Sequence, residues 1–175
     1  MIDIIPARIE LSAAEVELIQ EISRETKLKR AISLVKDKYD YILIDCPPSL
    51  GLLTVNALTA SDTVLIPMQC EYYAMEGLGQ LLNTINLIKE NLNPELTLEG
   101  ILLTMYDARN NLSKEVMQQV QMYFPDKAFK TIVPRAVALS EAPSYGKPII
   151  LYQVKSKGSE CYIELAKEML QKTGK

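Results

Sequence analysis

In the stretch YDYILIDCPPSLG, residues 39–51, an apolar run ends in a carboxylate, Asp45, and a rigid polar turn of Cys46, Pro47, Pro48 and Ser49 follows. A carboxylate fixed at the end of a buried strand beside such a turn is how nucleoside-triphosphate sites hold magnesium. Such a site also needs a glycine-rich loop whose backbone N–H groups cradle phosphate. The chain has seven glycines, Gly51, Gly77, Gly79, Gly100, Gly146, Gly158 and Gly174, and none belongs to a G-x-x-x-x-G-K-[ST] run. Gly146-Lys147 is followed by Pro148, which has no N–H to donate. A strand-end aspartate is also a common turn or cap residue, so spacing alone leaves both readings of Asp45 open.

Two further loops carry comparable chemistry. Thr104-Met105-Tyr106-Asp107-Ala108-Arg109 follows the apolar run LEGILLTMY, and Pro134-Arg135 follows FKTIVP. A parallel α/β sheet binds its ligands at the carboxyl ends of its strands, so these loops and the Asp45 loop are expected at one edge.

The elements that must position them follow from hydrophobic periodicity. IDII (2–5) is expected as a short strand stopped by Pro6, and Ser12 with Glu15 as a capping box opening a helix with Leu11, Leu18 and Ile22 on one face. A second helix is expected over about 26–37, and YILID (41–45), apolar on both faces, as a buried strand. Residues 51–59 fit a short helix, TVLIP (63–67) a buried strand and about 71–91 a long helix. Gly77 and Gly79 within that helix weaken it and are expected to mark a close packing contact. They make no dinucleotide fingerprint, because the third glycine is missing. A strand over 98–106, a helix through Leu112, Val116, Val120 and Phe124, a strand over 129–134, a helical turn at ALSEAP and a last helix over about 157–171 complete the series. Strands alternating with helices predict a single α/β domain, a mostly parallel sheet flanked by helices.

Bulk properties narrow the function classes. With 175 residues, 48% hydrophobic and 23% charged, the chain has the composition of a globular domain with a real core. Its apolar runs are far too short for a membrane span, and MIDIIPARIE is no secretory signal, so a cytoplasmic protein is expected. It contains no histidine, which excludes Ser/His and Cys/His triads. Cys46, Cys70 and Cys161 fit no zinc or redox spacing and are expected as free buried thiols. A net charge of -3 excludes polyanion binding by bulk attraction, and the basic stretch 24–38 is expected as a solvated face.

The stretch YDYILIDCPPSLGLLTVNALTASDTVLIPMQCEYYAMEGL closely resembles the ParA/Soj family of chromosome- and plasmid-partitioning ATPases and, more distantly, the septum-site ATPase MinD. The resemblance continues through GILLTMYDARNNLSKEV and TIVPRAVALSEAPSYGKPIILYQVKSKGSECYIELAKE and covers nearly the whole chain. It implies a deviant-Walker P-loop NTPase fold that binds ATP and magnesium and forms a homodimer around the nucleotide. It further implies DNA binding without sequence preference, at the nucleoid, and hydrolysis stimulated by a ParB-type partner. Residue by residue, Asp45 matches the aspartate that holds magnesium through water. Pro47, Pro48 and Ser49 match the loop that senses the γ-phosphate, and Thr104, Met105, Pro134 and Arg135 match the loops that pass the adenine. Arg109, Lys155 and Lys157 lie in regions that the family uses for DNA.

There are two departures. Many relatives carry arginine where this chain has Ala138, which removes one cationic phosphate contact. The family's phosphate loop, KGGVGKT, does not occur, and the match begins well inside a typical relative. Residues 1–175 are therefore expected to correspond to the C-terminal two thirds of a ParA-type domain, poor at binding ATP and inactive in hydrolysis. The strand that carries the phosphate loop is expected centrally, next to the Asp45 strand, so that without it paired-strand edges are exposed. The alternatives are a non-enzymatic interaction module that keeps the dimer and DNA surfaces, and a MinD-like cell-division ATPase. The end, CYIELAKEMLQKTGK, has the pattern of a packing helix, so no membrane attachment is expected.

Overall fold

The computed structural model describes residues 2–47 and 51–172; Pro48 and Ser49 fall outside them. The chain divides into two compact units, residues 1–64 with 82–97, and residues 65–81 with 98–175.

In chain order the helices and strands are α1 (Ala14–Glu17), α2 (Lys27–Ser33), α3 (Leu52–Ala60), β1 (Thr63–Gln69), α4 (Ala74–Asn91), β2 (Thr97–Tyr106), α5 (Asn111–Tyr123), β3 (Ala128–Pro134), α6 (Val137–Glu141), α7 (Ile149–Tyr152) and α8 (Lys157–Lys172). The three strands form one parallel sheet in the order β1-β2-β3, flanked by helices as expected.

The first unit is organised around α3. Its apolar residues Ala57 and Leu58 are buried, and so is Asn56. A buried amide must find partners. Asn56 finds three: its Nδ2 donates to the Arg24 carbonyl at 2.8 Å and the Leu52 carbonyl at 3.0 Å, and its Oδ1 accepts from the Leu28 N–H at 3.1 Å. That side chain ties α2 to α3. Asn93 does the same at the other end of the helix, donating to the carbonyls of Leu58 and Ser61 at 2.9 and 2.8 Å.

Upstream of α3 the structure departs from expectation. IDII is no strand: Ile2, Ile4 and Ile5 are exposed, Ile5 to 95%. Ser12 does not cap a helix; its hydroxyl donates back to the Ile9 carbonyl at 2.7 Å within a 3-10 turn, Ile9–Ala13. The helix expected here reduces to the four residues of α1 between two 3-10 turns. Short helices depend on burying a face, and Leu11 and Ile22 of the predicted face are exposed. The helix expected over 26–37 stops at Ser33. YILID takes up no regular secondary structure and lies outside the sheet, with Leu43 84% exposed. An all-apolar strand is stable only between two neighbours and under cover on both faces, and among the described residues the sheet ends at β1.

The second unit packs more completely. Along β2 and β3 the register runs Ile101 with Ala128, Leu103 with Ile132 and Tyr106 with Pro134. Gly100 permits the approach: a Cβ there would meet the Lys127 carbonyl at 2.6 Å and the Phe129 ring at 2.7 Å. Leu102, Phe129, Val133 and Leu165 form a buried cluster with Leu65, Leu139 and Met169 against it. Leu165 brings α8 onto the sheet, and burying such a side chain stabilises by about 1.5–3 kcal/mol. Glu168 of α8 then covers the edge of β3, accepting from the N–H groups of Lys130 and Thr131 at 2.8 and 2.9 Å and from the Thr131 hydroxyl at 2.8 Å. Burial pushes the Glu168 carboxyl up, but those three hydrogen bonds and the nearby Lys172 outweigh it and leave it below the usual range. The Lys172 ammonium stacks 3.9 Å from the Phe129 ring centre.

Two smaller expectations change. Gly77 and Gly79 face open space, since a Cβ on either meets nothing within 4 Å, so neither marks a packing contact. Cys46 is exposed and Cys161 half-buried; Cys70 is buried and all three are free thiols. Among the described residues no helix is long and apolar enough to cross a membrane.

Candidate functional site

The carboxyl ends of the strands in the second unit build a cleft. After β1 the chain turns at Cys70, whose N–H donates to the Thr104 carbonyl at 3.1 Å. After β3 the Arg135 N–H donates to the Tyr106 carbonyl at 2.9 Å. Between them Met105 takes a left-handed backbone conformation, φ 55°, which is uncommon for a residue with a side chain and costs strain. The loops at 70–72, 105–113 and 135 enclose about 480 Å³, lined by Cys70, Glu71, Tyr72, Met105, Asp107 and Arg135 together with the start of α5.

The cleft is strongly polar on one side. Arg135 pairs with Glu71 at 3.3 Å, both half exposed. Asp107 receives the Arg109 side chain twice, Nε to Oδ1 at 3.0 Å and Nη2 to Oδ2 at 2.9 Å, and also the Arg109 backbone N–H at 3.0 Å. The Arg109 side chain first, then its backbone N–H and the charges of Arg109 and Arg135, hold the Asp107 carboxyl down at about 2. On the apolar side the Cys70 thiol is pushed up to about 11 by burial, which makes it a small neutral wall and no nucleophile at neutral pH. Asn110 caps α5 by accepting the Leu112 N–H at 3.0 Å, which fixes where that helix meets the cleft.

Of the residues singled out in the sequence, Met105 and Arg135 line this cleft. Thr104 and Pro134 shape it through the backbone, at the ends of β2 and β3. Glu71 and Tyr72 were missed. The signal that finds them is the same strand-end rule, applied to the loop after TVLIP. Arg109, Lys155 and Lys157 are exposed, and only Arg109 is tied to the cleft, through Asp107. Asp45 and Pro47 belong to the other unit, where both are exposed. Although Cys46 is exposed as a residue, partial desolvation of its thiol and then the neighbouring Asp45 push that thiol up.

Residues 1–98 match the model of a family of AAA domains. The chain is 63% identical over 168 residues to the sporulation initiation inhibitor protein Soj of Bacillus subtilis, covering 96% of this chain and 66% of that protein. It is 56% identical over 171 residues to the chromosome partitioning protein ParA of Myxococcus xanthus, covering 98% and 60%. The chain belongs to the ParA/Soj family. It spans 60 to 66% of the length of these two relatives. Among solved structures it is similar to cobyrinic acid a,c-diamide synthase from Mycobacterium smegmatis with bound ATP analogue and magnesium, at 37% identity and a TM-score of 0.78, covering 97% of this chain and 63% of that one.

The residues of this ParA/Soj chain fit such a nucleotide only in part. The cleft at Met105 and Arg135 encloses about 480 Å³ with charged groups on one side, and Asp45 is a single exposed carboxylate in the other unit. The glycine-rich cradle for phosphate is not in the sequence, and the described residues contain no group of three or more metal-ligating side chains. No phosphoryl-transfer step can be built from these residues alone.

Proposed function

We propose that this chain acts in chromosome or plasmid partitioning, within an ATP-dependent homodimer that binds DNA without sequence preference at the nucleoid and releases it when a ParB-type partner stimulates hydrolysis. The observation that carries the reading is the 63% identity to Soj along nearly the whole chain. In it Asp45 orients magnesium through water, and Pro47, Pro48 and Ser49 respond to the γ-phosphate. Thr104, Met105, Pro134 and Arg135 form the path of the adenine, and Arg109, Lys155 and Lys157 meet DNA phosphates. Phosphoryl transfer rests on positioning and charge neutralisation, so a phosphate loop such as KGGVGKT must come from outside these 175 residues. Deleting the gene is expected to raise the fraction of cells without a nucleoid. An unchanged fraction argues against a partitioning role.

The missing cradle favours a second reading, a binding module without nucleotide chemistry. Neither reading gives the purified chain ATP turnover of its own. We expect none; turnover that Asp45→Ala abolishes would mean that other residues supply the phosphate contacts. In a version carrying a phosphate loop, the same substitution is expected to suppress hydrolysis, because magnesium loses its orienting carboxylate.

A further inference from the structure

Asp107 is the residue at which the cleft and Arg109 meet. It lines the cleft beside Met105 and Arg135, and its carboxylate holds the Arg109 guanidinium through two hydrogen bonds of 2.9 and 3.0 Å. The Arg109 side chain is nevertheless 90% exposed, while that of Asp107 is 27% exposed. We propose that Asp107 is a positioning residue for Arg109, fixing its guanidinium as an outward fork for a phosphate of the DNA backbone. The inference rests on the reading of Arg109 as a DNA contact.

A guanidinium has five N–H donors in a rigid plane. Asp107 takes the Nε hydrogen and one Nη2 hydrogen. The two Nη1 hydrogens and the second Nη2 hydrogen remain, on the side that faces solvent, and such an edge suits the oxygens of a phosphate. The base of the fork is fixed as well. The Arg109 backbone N–H donates to Asp107 Oδ1, and the Asn110 N–H donates to the Asp107 carbonyl at 3.0 Å, so residues 107–110 form a closed turn. This turn leads directly into the capped first turn of α5. The carboxyl stays ionised throughout the neutral range.

Two effects of Asp107 on a polyanion oppose each other. Its negative charge repels phosphate, and its grip pre-orders the arginine. The repulsion is screened, with a Debye length of about 8 Å at physiological salt, and the neighbouring Arg109 and Arg135 already offset it. The ordering comes from direct hydrogen bonds, to the Arg109 backbone N–H as well as to its side chain, and is screened less. Immobilising a long side chain in advance spares about 0.5–1.5 kcal/mol on binding, equivalent to about 2- to 12-fold in affinity. Ordering therefore outweighs repulsion, and the sign is opposite to that expected from charge alone.

The test is fluorescence anisotropy of a labelled random-sequence duplex titrated at low salt with an ATP-loaded, full-length version that carries a phosphate loop, for the wild type, Arg109→Ala, Asp107→Ala, Asp107→Asn and the double variant. Far-UV circular dichroism checks that each variant is folded. Arg109→Ala is expected to weaken binding. Asp107→Ala is expected to weaken it about 2- to 10-fold although it removes a negative charge. Asp107→Asn, which keeps an acceptor for the Arg109 backbone N–H, is expected between the two. In the Arg109→Ala background, loss of Asp107 is expected to leave affinity unchanged or to raise it. Tighter binding by Asp107→Ala overturns the proposal, and so does further weakening in the Arg109→Ala background, since the loss is then not exerted through Arg109. No binding by the wild type, or no effect of Arg109→Ala, overturns the DNA reading of Arg109 and this inference with it.

Discussion

Residues 41–45 and residues 128–134 have similar apolar sequences, YILID and AFKTIVP, and reach opposite environments. Phe129 and Val133 are 2% and 3% exposed; Leu43 is 84% exposed. Intrinsic preference does not separate them, because both segments are rich in β-branched or aromatic residues. What separates them is their surroundings. β3 has β2 on one side, and α8 covers its face through Leu165 and its edge through Glu168. Segment 41–45 lies outside the sheet. A strand is thus a property of a pair, and a run of apolar residues states only that a pair is wanted.

The largest test of this contrast compares one truncation in each region. Leu165→Ala removes the side chain that joins α8 to Leu102, Phe129 and Val133. It should destabilise the second unit by about 2–5 kcal/mol, read as a lowered urea midpoint. Leu43→Ala should change stability by less than about 0.5 kcal/mol, because the side chain is already in water. Comparable losses in the two variants would show that segment 41–45 is buried in solution, and the contrast would disappear.

The next effect sharpens the comparison at the strand edge. Glu168 satisfies two backbone N–H groups of β3 and the Thr131 hydroxyl from a helix sixteen residues long. Glu168→Ala should cost about 1–3 kcal/mol, because the half-buried Thr131 N–H and hydroxyl, and the exposed Lys130 N–H, lose a charged acceptor. Amide hydrogen exchange at Lys130 and Thr131 should accelerate more than at Val133 in the same strand. Uniform acceleration along β3 would mean that Glu168 acts only by holding α8 in place.

The same contrast explains what the sequence made legible. From residue 52 onward the periodicity placed α3, β1, α4, β2, α5, β3 and α8 within a few residues of their observed bounds, because each apolar face there meets another. Upstream, the same rules predicted a strand at 2–5, a capped helix after Ser12 and a strand at 41–45, none of which formed. Those rules assume that a partner face exists. The four-residue α7 escaped notice because it shows too little of a helical period, and it follows Pro148 at its N-cap. In the cleft, Met105 and Arg135 were legible from the ends of their strands. Glu71 was not, because its role comes from Arg135, sixty-four residues away in the chain. The grip of Asp107 on Arg109 follows no helix or strand spacing and depends on the turn at 107–110.

The smallest expected effect concerns that exposed pair and its response to acid. The Asp107 carboxyl titrates at about 2 in the folded chain, below its ordinary value of 3.8, chiefly because the Arg109 side chain and backbone N–H bond to its ionised form. A depressed carboxyl stabilises the fold fully above its unfolded-state value and progressively less as the pH falls from there through its folded-state value. The melting-temperature difference between the wild type and Asp107→Asn should therefore be constant from about pH 7 to 5, shrink below about pH 4 and be mostly lost by about pH 2. Glu168 also sits below its usual range, but it is present in both proteins and cancels in the difference. The plateau itself should be small and should shrink further with added salt, because both side chains reach solvent. A difference that persisted undiminished to about pH 2 would show that Asp107 supports the turn through the Arg109 backbone N–H and not through its charge.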